Sequence, residues 1–446
     1  MRGFAVKVDA VHHSVRSVAS WLLFGTVVAF PGVARAQLVQ QYFPSDIPGY
    51  SPDFSASVVQ REVQEGRAQG VEVGSFVVRP SMTEAFGYNS NTLGIPGSGS
   101  TELSSAASVR INSDWTRNAL GAAFSVNDER YLDRPVASYT NWNASIGGSI
   151  ALGSDTATLA YSHLALNLAA TDLGVYGVVT PVPYSVNDVR IGYATLRGHF
   201  SVSPSFEYED FSFGRASGEN AISYNSLSHS EEIGTVTTRY EFSTGNAAVV
   251  IVRGTGAQFG TASSNSYTDF AGFGGLDFRS DALVQYRLLV GGETRRFIGS
   301  NAAAVSTPTA ELDAVWTPRR TDTVTATFAR RLDDPESPFA RNQTITDFRL
   351  QLDHEVRHDI FLRSYAELGI SDSRSSIAGT TSVNQTQLHF GASATWRTNR
   401  YVSTTLSYGY SNSSFDNNIR STTITYGSGQ TAFTSNTALL SVTLSE

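Results

Sequence analysis

Polar turn-forming clusters recur along this chain at intervals of about 40 residues, and each interval holds two strand-like stretches separated by a longer polar stretch. The clusters are Asn112-Ser113-Asp114, Gly153-Ser154-Asp155, 198–203, Gly245-Asn246, Ser280-Asp281, 318–322, Arg357-His358-Asp359 and Thr398-Asn399. Short turns at one end of the strands and longer loops at the other are typical of a transmembrane β-barrel.

Between these clusters, apolar and polar residues alternate with a period of two. In the stretch 344–357, Phe348 and Leu350 lie on one face of an extended chain, whereas Arg349 and Asp353 lie on the other. Soluble β-sandwiches also alternate, but their polar faces look outward. Strand lengths of about 10 to 14 residues, combined with the turn spacing, favour a barrel with lipid outside and water inside.

The pattern predicts an all-β fold, namely a transmembrane antiparallel up-and-down β-barrel of about 18 strands (16–18). An even number of strands places both ends of the barrel wall on the periplasmic side. The eight short clusters then become periplasmic turns, and the longer stretches rich in Ser, Asn and Gly become external loops. The count has a margin of about two strands, because 159–168 and 204–214 alternate poorly.

Tryptophan is placed unevenly along the chain. Trp115, Trp316 and Trp396 each lie within a few residues of a predicted periplasmic turn. Trp favours the boundary between membrane and water, where its ring is half wet. These residues therefore predict a partial aromatic girdle, with scattered core aromatics as the alternative.

The composition fits a barrel and excludes a bundle of membrane helices. Charged residues make up 16% of the chain, against about 25% in soluble domains. The mean hydropathy of -0.15 is too polar for a helical bundle. Beyond the N-terminus no fully apolar run reaches the about 18 residues that a spanning helix needs. The chain has no cysteine, so no disulfide framework is predicted.

The N-terminus has the pattern of an export signal. The basic residues Arg2, Lys7 and Arg16 precede an apolar core at 21–33, and a small-x-small pattern ends at Ala36. We therefore expect signal-peptide cleavage near Ala36 and a mature protein in the outer membrane of a Gram-negative bacterium, in contact with its lipid.

Three regions follow from these boundaries: a signal peptide at 1–36, a periplasmic or pre-barrel segment at 37–70, and an outer-membrane β-barrel at 71–446. The leader has a net charge of +3, so its removal would change the formal charge of the chain from -8 to -11. A strongly acidic chain without a basic patch offers no footprint for nucleic acid, and we expect no nucleic-acid partner.

The pre-barrel segment divides into two parts. The first, around 43–52, is rich in proline and is predicted to be extended, and the second, 57–69, is predicted to form a short polar helix. The segment can sit in the periplasm, fold into the lumen and plug it, or act as a tethering linker.

No arrangement of residues in the sequence indicates catalysis. The chain has eight His, and no pair has a metal-ligand spacing such as HExxH. Ser and Asp are so frequent that a search for a Ser-His-Asp set has no meaning. We therefore predict no catalytic residue, no metal site and no cofactor, and we expect the protein not to be an enzyme.

Charged residues on the polar strand faces form the one constellation that bears on function. A charge that faces lipid at the midplane costs about 2–4 kcal/mol, so these residues are expected to face water. The candidate pore-lining residues are Glu207, Glu209, Arg239, Glu241, Arg287, Glu293, Arg295, Glu311, Asp313, Asp347, Arg349, Asp353, Glu355, Arg363, Glu367 and Arg397. They predict either a lining that selects solutes or structural ladders of Arg and carboxylate that stiffen a wet wall.

The first predicted strand carries a motif. It reads Gly-x-x-x-Gly-x-Phe-x-x-x-Pro, followed by an aromatic stretch that ends in Tyr-x-x-Asn. The positions are Gly70, Gly74, Phe76, Pro80, Tyr88 and Asn91. This opening resembles that of the putative β-barrel porin 2 family, and the later hairpins with Trp beside the inner turns extend the resemblance over most of the chain. One departure is the last strand, which has no terminal aromatic residue and ends near Leu444.

The resemblance implies an outer-membrane barrel and, for some members of the family, export of exopolysaccharide together with a periplasmic polysaccharide-export protein. Three hypotheses follow: a porin-like channel for exopolysaccharide export, a passive diffusion porin for small solutes, and a structural or adhesive barrel. A long loop folded inward to narrow the pore would favour the diffusion porin.

Overall fold

The computed structural model describes residues 42–44, 47–50, 70–175, 178, 180–216, 223–279, 283–338, 340–375, 382–415 and 432–446. Within these residues nearly all of the chain is strand, and no helix is long and apolar enough to cross a membrane. The strands are β1 (Val71–Val73), β2 (Phe76–Asn89), β3 (Ser100–Ser113), β4 (Ala119–Tyr131), β5 (Tyr139–Leu152), β6 (Asp155–Leu168), β7 (Val182–Arg197), β8 (Phe200–Phe213), β9 (His229–Ser243), β10 (Asn246–Phe259), β11 (Tyr267–Phe278), β12 (Val284–Phe297), β13 (Val305–Arg319), β14 (Asp322–Asp333), β15 (Ala340–Arg357), β16 (Ile360–Ser375), β17 (Val383–Arg397), β18 (Val402–Phe415) and β19 (Phe433–Ser445).

Three sequence predictions lie outside the described residues: the signal peptide at 1–36, the polar helix at 57–69 and the turn at 280–281. They stay predictions.

The strands close into a ring. Each strand from β2 to β19 pairs antiparallel with the next, and β19 pairs with β2 between Thr437↔Asn89 and Ser445↔Ser81. The result is a closed antiparallel up-and-down barrel of 18 strands, which confirms the predicted fold class and strand number. Strand β1 is an addition that pairs with the first residues of β2. Closure leaves no row of unpaired backbone groups to face lipid.

Short turns join the strands at one end of the barrel. Gly153 (φ 72°) and Gly245 (φ 78°) occupy the left-handed region at two of these turns, where glycine has no Cβ to clash. The turn predicted at 198–203 is shorter than expected, since β8 already begins at Phe200. The Ser and Pro residues after Phe200 resemble a turn in composition, yet Phe200 pairs with Tyr240 and continues the ladder.

The two faces of the wall differ in chemistry. On the outer face Phe86, Leu350 and Leu406 are 60%, 42% and 60% exposed, whereas on the inner face Glu102 and Gln385 are almost completely buried. Because a charge facing lipid is costly, this division places lipid outside the barrel and the polar side chains around the lumen. The alternation that the sequence shows is therefore the alternation between lipid and lumen.

The aromatic residues near the short turns face outward. Trp115, Trp316 and Trp396 are each about half exposed, and the Trp115 ring packs edge-on against Phe76 with 5.6 Å between centroids. Half-exposed rings at one end of the wall are what an interfacial girdle requires. These positions mark the short-turn end as one boundary of the membrane-spanning band.

The opening motif has a structural explanation. Gly74 (φ 63°) forms the turn between β1 and β2. One edge of β2 pairs first with β1 and then with β19, and Pro80 lies between these two paired stretches. A proline has no N–H, and at this position none is needed for either pairing. Asn91 donates to the Thr434 main-chain oxygen (3.2 Å) and accepts from the Ser98 hydroxyl (2.5 Å). It therefore ties the first external loop to the last strand.

Candidate functional site in the barrel lumen

All sixteen candidate pore-lining side chains lie at lumen-facing positions of their strands. On β15, for example, Arg349 and Asp353 alternate with the outward-facing Phe348, Leu350 and Leu352. The same alternation places the others inward: Glu207 and Glu209 on β8, Arg239 and Glu241 on β9, Arg287, Glu293 and Arg295 on β12, Glu311 and Asp313 on β13, Asp347 and Glu355 on β15, Arg363 and Glu367 on β16, and Arg397 on β17. A role for these residues in selectivity stays a prediction.

Several of the charges pair across neighbouring strands. Arg349 Nη1 lies 3.1 Å from Glu367 Oε2, and Arg363 Nε lies 2.6 Å from Asp353 Oδ1. Such pairs hold the charged heads against the wall and compensate one another. This part of the constellation is the ladder of Arg and carboxylate that the sequence offered as the structural alternative.

A second group of charges lies on β10 to β12. Glu293 accepts from Arg253 Nη2 at 2.7 Å and from the Leu332 backbone N–H at 2.9 Å. Arg295 Nε lies 3.3 Å from Asp269 Oδ2. Both predicted residues are almost fully buried, because the loop after β14 packs over them.

Other predicted residues are not brought into these clusters. Arg287 and Asp313 are register partners on β12 and β13. Glu241, Glu355 and Arg397 lie at the short-turn end, where Glu241 accepts from the Gly245 backbone N–H at 2.9 Å. The predicted set is thus several local groups along the wall and not one ring.

The lumen also contains part of the pre-barrel segment, which we call the N-terminal lumen segment (residues 42–50, of which 45 and 46 are not described). It folds into turns and is not extended as predicted: the Ile47 backbone N–H donates to the Pro44 oxygen at 3.2 Å. Asn143 Nδ2 donates to the Tyr42 main-chain oxygen at 2.6 Å. The segment therefore lies against the lumen wall, which the sequence left open.

Glycines make room for this segment. Ile47 is completely buried. A Cβ added at Gly147 on β5 would lie 2.1 Å from the Pro48 main-chain oxygen, and one at Gly121 on β4 would lie 2.9 Å from Ile47 Cδ1. Only a residue without a side chain permits such an approach. The wall at β4 and β5 is therefore shaped to receive these residues.

An arginine connects the segment to the acidic wall. The Arg190 guanidinium lies 4.4 Å from the Phe43 ring centroid and 4.7 Å from that of Tyr50. On its other side it forms ion pairs with Asp188 (3.2 Å) and with Glu207. The cation is thus shared between two aromatic rings and the carboxylates of β7 and β8.

Tyr50 completes this contact through its hydroxyl group, which donates to Asp188 Oδ1 at 2.5 Å. Burial and the neighbouring Asp188 carboxylate raise the pKa of the Tyr50 hydroxyl well above its usual range. The phenol therefore remains protonated, and it remains a donor, throughout the physiological pH range.

The loop between β6 and β7 folds into the lumen over its described residues, and we call it the inward loop (residues 169–181, of which 176, 177 and 179 are not described). Gln387 Nε2 donates to the Thr171 main-chain oxygen at 3.0 Å, and the Gly174 backbone N–H donates to Gln385 Oε1 at 2.7 Å. Leu173 packs on Ile345, and both side chains are almost completely buried. Since β15 and β17 lie on the far side of the ring from β6, the loop spans the lumen.

One carboxylate of the inward loop, that of Asp172, is half-buried inside the barrel. Asp172 accepts a hydrogen bond from the Ala169 backbone N–H at 2.8 Å. Burial raises the pKa of Asp172 to about 7, although the hydrogen bond from Ala169 lowers it in part. The charge of the loop therefore changes near neutral pH.

A polar cavity lies between the inward loop and the wall at the loop end. It is lined by side chains that match hydroxyl groups, together with a few aromatic rings. They include Asn89, Asn91, Tyr131, Tyr139, Asp172, Gln387, His389, Ser411, Ser413, Phe433 and Ser435. Amides, hydroxyls and aromatic faces are the groups that orient small polar solutes.

Sequence reasoning missed the residues that contact the lumen segments. Asp188 and Arg190 are two residues apart on one strand and so lie on the same face. The alternation of β7 could therefore have identified them as lumen-facing residues. Gln385 and Gln387 show the same spacing on β17, but no local pattern identifies their partners. Those partners lie more than 200 residues away.

Several solved structures are similar to this chain over most of its length. OccK2 (OpdF) of Pseudomonas aeruginosa, solved in complex with glucuronate, is 10% identical, with a TM-score of 0.46 over 84% of this chain and 100% of that one. OccAB3 of Acinetobacter baumannii is 10% identical, with a TM-score of 0.45 over 84% and 100%. The siderophore receptor PirA of Acinetobacter baumannii is 6% identical, with a TM-score of 0.44 over 83% and 80%. Comparison with curated proteins gives no match.

A closed 18-stranded barrel with an apolar outer face and a polar lumen defines a porin-like barrel of the outer membrane of Gram-negative bacteria. The family described as Putative beta-barrel porin 2 matches residues 65–427, and the chain belongs to that family. The match covers the opening motif and the strands up to β18, which confirms the resemblance drawn from the sequence.

Proposed function

We propose that this protein is a passive diffusion channel for small polar solutes, narrowed by the inward loop and by the N-terminal lumen segment. The observation that carries the proposal is the pair of hydrogen bonds by which Gln385 and Gln387 hold the inward loop across the lumen. A barrel of 18 strands leaves an aqueous channel unless something fills it. Two segments folded into that channel limit the size of what can pass.

The charge of the wall suggests which solutes pass most easily. Ten of the sixteen candidate pore-lining residues are carboxylates and six are arginines. An acidic excess lowers the barrier for cations and raises it for anions. We expect a mild preference for cations and neutral polar solutes, because the pairing of Arg with carboxylate weakens the net field.

The proposal is tested with the purified full-length protein in liposomes. Swelling is measured in isosmotic sugars and amino acids of increasing size, with protein-free liposomes as the control. The proposal predicts fast entry of the smallest solutes and a sharp decline with size. Heat-modifiable gel mobility shows whether the protein is folded. Liposomes that contain folded protein and stay impermeable to every small solute would contradict the proposal.

Exopolysaccharide export is the second candidate function. The polar cavity favours it, because Asn89, Gln387 and Ser411 carry the amides and hydroxyls that match sugar hydroxyl groups. A polysaccharide needs a wide lumen, so export requires withdrawal of the inward loop and the N-terminal lumen segment, for instance on contact with a periplasmic polysaccharide-export protein. A deletion strain that loses surface polysaccharide but keeps small-solute uptake would support export over diffusion.

A further inference from the structure

A histidine and two carboxylates meet on the lumen side of the wall near the loop end, apart from the inward loop. His229 is the first residue of β9, and Glu231 lies two residues on, so both side chains project from one face. Asp334 comes from the loop that follows β14. One ligand atom of each residue lies within 4.8 Å of the other two.

The environment of His229 fixes the orientation and the tautomer of its ring. The ring is stacked between Phe211 and Phe259, with centroid distances of 4.6 and 4.5 Å. Nδ1 lies 2.6 Å from the Leu227 main-chain oxygen. A carbonyl oxygen only accepts, so Nδ1 carries the hydrogen, and in a neutral ring Nε2 is a bare lone pair.

Two carboxylates lie beside this nitrogen. Nε2 lies 3.0 Å from Asp334 Oδ2 and 3.4 Å from Glu231 Oε1. The side chain of His229 is only 5% exposed, and neither Nε2 nor Asp334 Oδ2 makes a hydrogen bond with the residues that the structure describes. Acceptors that lie this close in a buried site repel unless a metal ion or a proton lies between them.

Hydrogen bonds hold the second oxygen of Asp334, Oδ1, and also Glu231 Oε1, the oxygen that lies near Nε2. The Tyr267 hydroxyl lies 2.6 Å from Asp334 Oδ1 and 2.9 Å from Glu231 Oε1. Arg295 Nη1 donates to Asp334 Oδ1 at 2.9 Å. These partners leave Asp334 Oδ2 directed at the histidine, which is how an outer shell of hydrogen bonds orients metal ligands.

Carboxylates outnumber guanidinium groups around this site. Arg295 is the cation in contact with this cluster, and it faces both Asp334 and Asp269. With Glu231 added, three carboxylates lie near one guanidinium. This excess of carboxylates favours a cation between them and the His229 ring.

We propose that His229 Nε2, Glu231 and Asp334 bind a divalent transition metal ion of the zinc type. Ligand distances of about 2.0–2.2 Å at tetrahedral angles place neighbouring donor atoms about 3.3–3.6 Å apart. The separations of 3.0 and 3.4 Å from Nε2 match this spacing with little movement. An imidazole with two carboxylates favours Zn²⁺ over Ca²⁺ or Mg²⁺, which prefer oxygen alone, and a water molecule completes the coordination.

The ion would connect a strand to a loop. His229 and Glu231 belong to the wall, whereas Asp334 belongs to the loop between β14 and β15. Binding therefore pins this loop against β9 and stabilises the folded barrel in proportion to the metal concentration. The site acts independently of the proposed diffusion function, since none of its ligands contacts the inward loop among the described residues.

The test uses the full chain without a histidine tag, folded in detergent and stripped with EDTA. Calorimetric titration with Zn²⁺ is expected to show one site, and His229→Gln is expected to weaken it at least 100-fold. His163→Gln is the control, because His163 lies on the outer face of β6, where its ring bonds Asn187 at 2.9 Å. It should keep the wild-type affinity.

Two further variants keep the test decisive if His229→Gln misfolds. Heat-modifiable gel mobility shows whether each variant is folded. Asp334→Asn keeps the shape of the side chain and is expected to bind at least tenfold more weakly. Tyr267→Phe keeps every ligand and removes one outer hydrogen bond, which should weaken binding about 10–100-fold. Zn²⁺ affinity that is the same in wild type, His229→Gln and Asp334→Asn would overturn the proposal and leave a protonated imidazolium between the carboxylates.

Discussion

The side-chain amide of Gln387 on β17 donates a 3.0 Å hydrogen bond to the main-chain oxygen of Thr171, which belongs to the loop that leaves the opposite side of the barrel after β6. The bond crosses the lumen and, with the Gln385 contact to Gly174, holds the inward loop against the far wall. A solute entering from the loop end therefore meets this loop.

Removal of these amides is expected to widen the channel. The double variant Gln385→Ala, Gln387→Ala loses both hydrogen bonds to the inward loop, of about 0.5–1.5 kcal/mol each, which lets the loop leave the wall more often. We expect a higher mean single-channel conductance and more frequent open transitions in planar bilayers. The control is Gln351→Ala, because among the described residues Gln351 bonds only Arg349 and Asp353 of its own strand. Equal conductance in both variants would contradict the role of the loop.

Filling the glycine at position 147 is expected to expel the N-terminal lumen segment. A Cβ there would lie 2.1 Å from the Pro48 oxygen, so Gly147→Val should make the segment susceptible to added protease while the barrel remains folded. Gly148→Val is the matched control, because a Cβ at Gly148 meets its nearest atom, the Ala119 oxygen, at an ordinary 3.5 Å. Protection of the segment in both variants would show that it does not lie on β5.

Neighbouring residues on β15 test which face meets lipid. Leu350 faces outward and is 42% exposed, whereas Gln351 faces the lumen. Leu350→Arg should lower the free energy of unfolding by about 2–4 kcal/mol, since a charge at the middle of the lipid face is costly. Gln351→Arg should have a much smaller effect. Urea unfolding in lipid vesicles, followed by tryptophan fluorescence, measures both, and a reversed order would mean that the faces are assigned wrongly.

The seating of the inward loop should depend on pH through Asp172. Burial raises the pKa of Asp172 to about 7 in the folded loop, whereas a solvated Asp titrates near about 3.9. Because the buried carboxyl is more stable when protonated, seating is strongest below about pH 4 and weakens progressively as the pH rises to about 7. Conductance should therefore increase over this window.

The comparison that isolates this effect is Asp172→Asn, which should keep the loop seated and remove the Asp172 part of the pH dependence. Asp133→Asn serves as the control, because Asp133 lies on an exposed external loop and bonds the Thr101 backbone N–H. If Asp172→Asn and wild type show the same conductance at every pH, the carboxyl of Asp172 does not control the loop.

The strands were predictable because their signal is local. Alternation such as Phe348, Arg349, Leu350 reports directly which neighbour faces lipid, so fold class and strand number follow from the sequence. Where the alternation is poor, the predicted end of a strand was wrong. At Phe200 the pairing with Tyr240 continues the strand through residues whose composition is typical of turns. The membrane imposes this period on every strand, which is why the pattern is so complete.

The contents of the lumen were not predictable in the same way. Tyr50 reaches Asp188 over 138 positions, and Gln387 reaches Thr171 over 216. Such contacts depend on closure of the ring, and no periodicity encodes them. The proposed metal site could be predicted only in part. His229 and Glu231 are two residues apart on one strand and share a face, but Asp334 lies about a hundred residues further along the chain.

The most direct test of the central claim is the single-channel conductance of the purified protein before and after residues 170–180 are replaced by a short Gly-Ser linker. A channel narrowed by the inward loop predicts a small conductance in the wild type, a several-fold larger one in the replaced variant, and a matching rise in the size of sugars that pass. An unchanged conductance and an unchanged size limit, in a variant that still folds, would contradict the account.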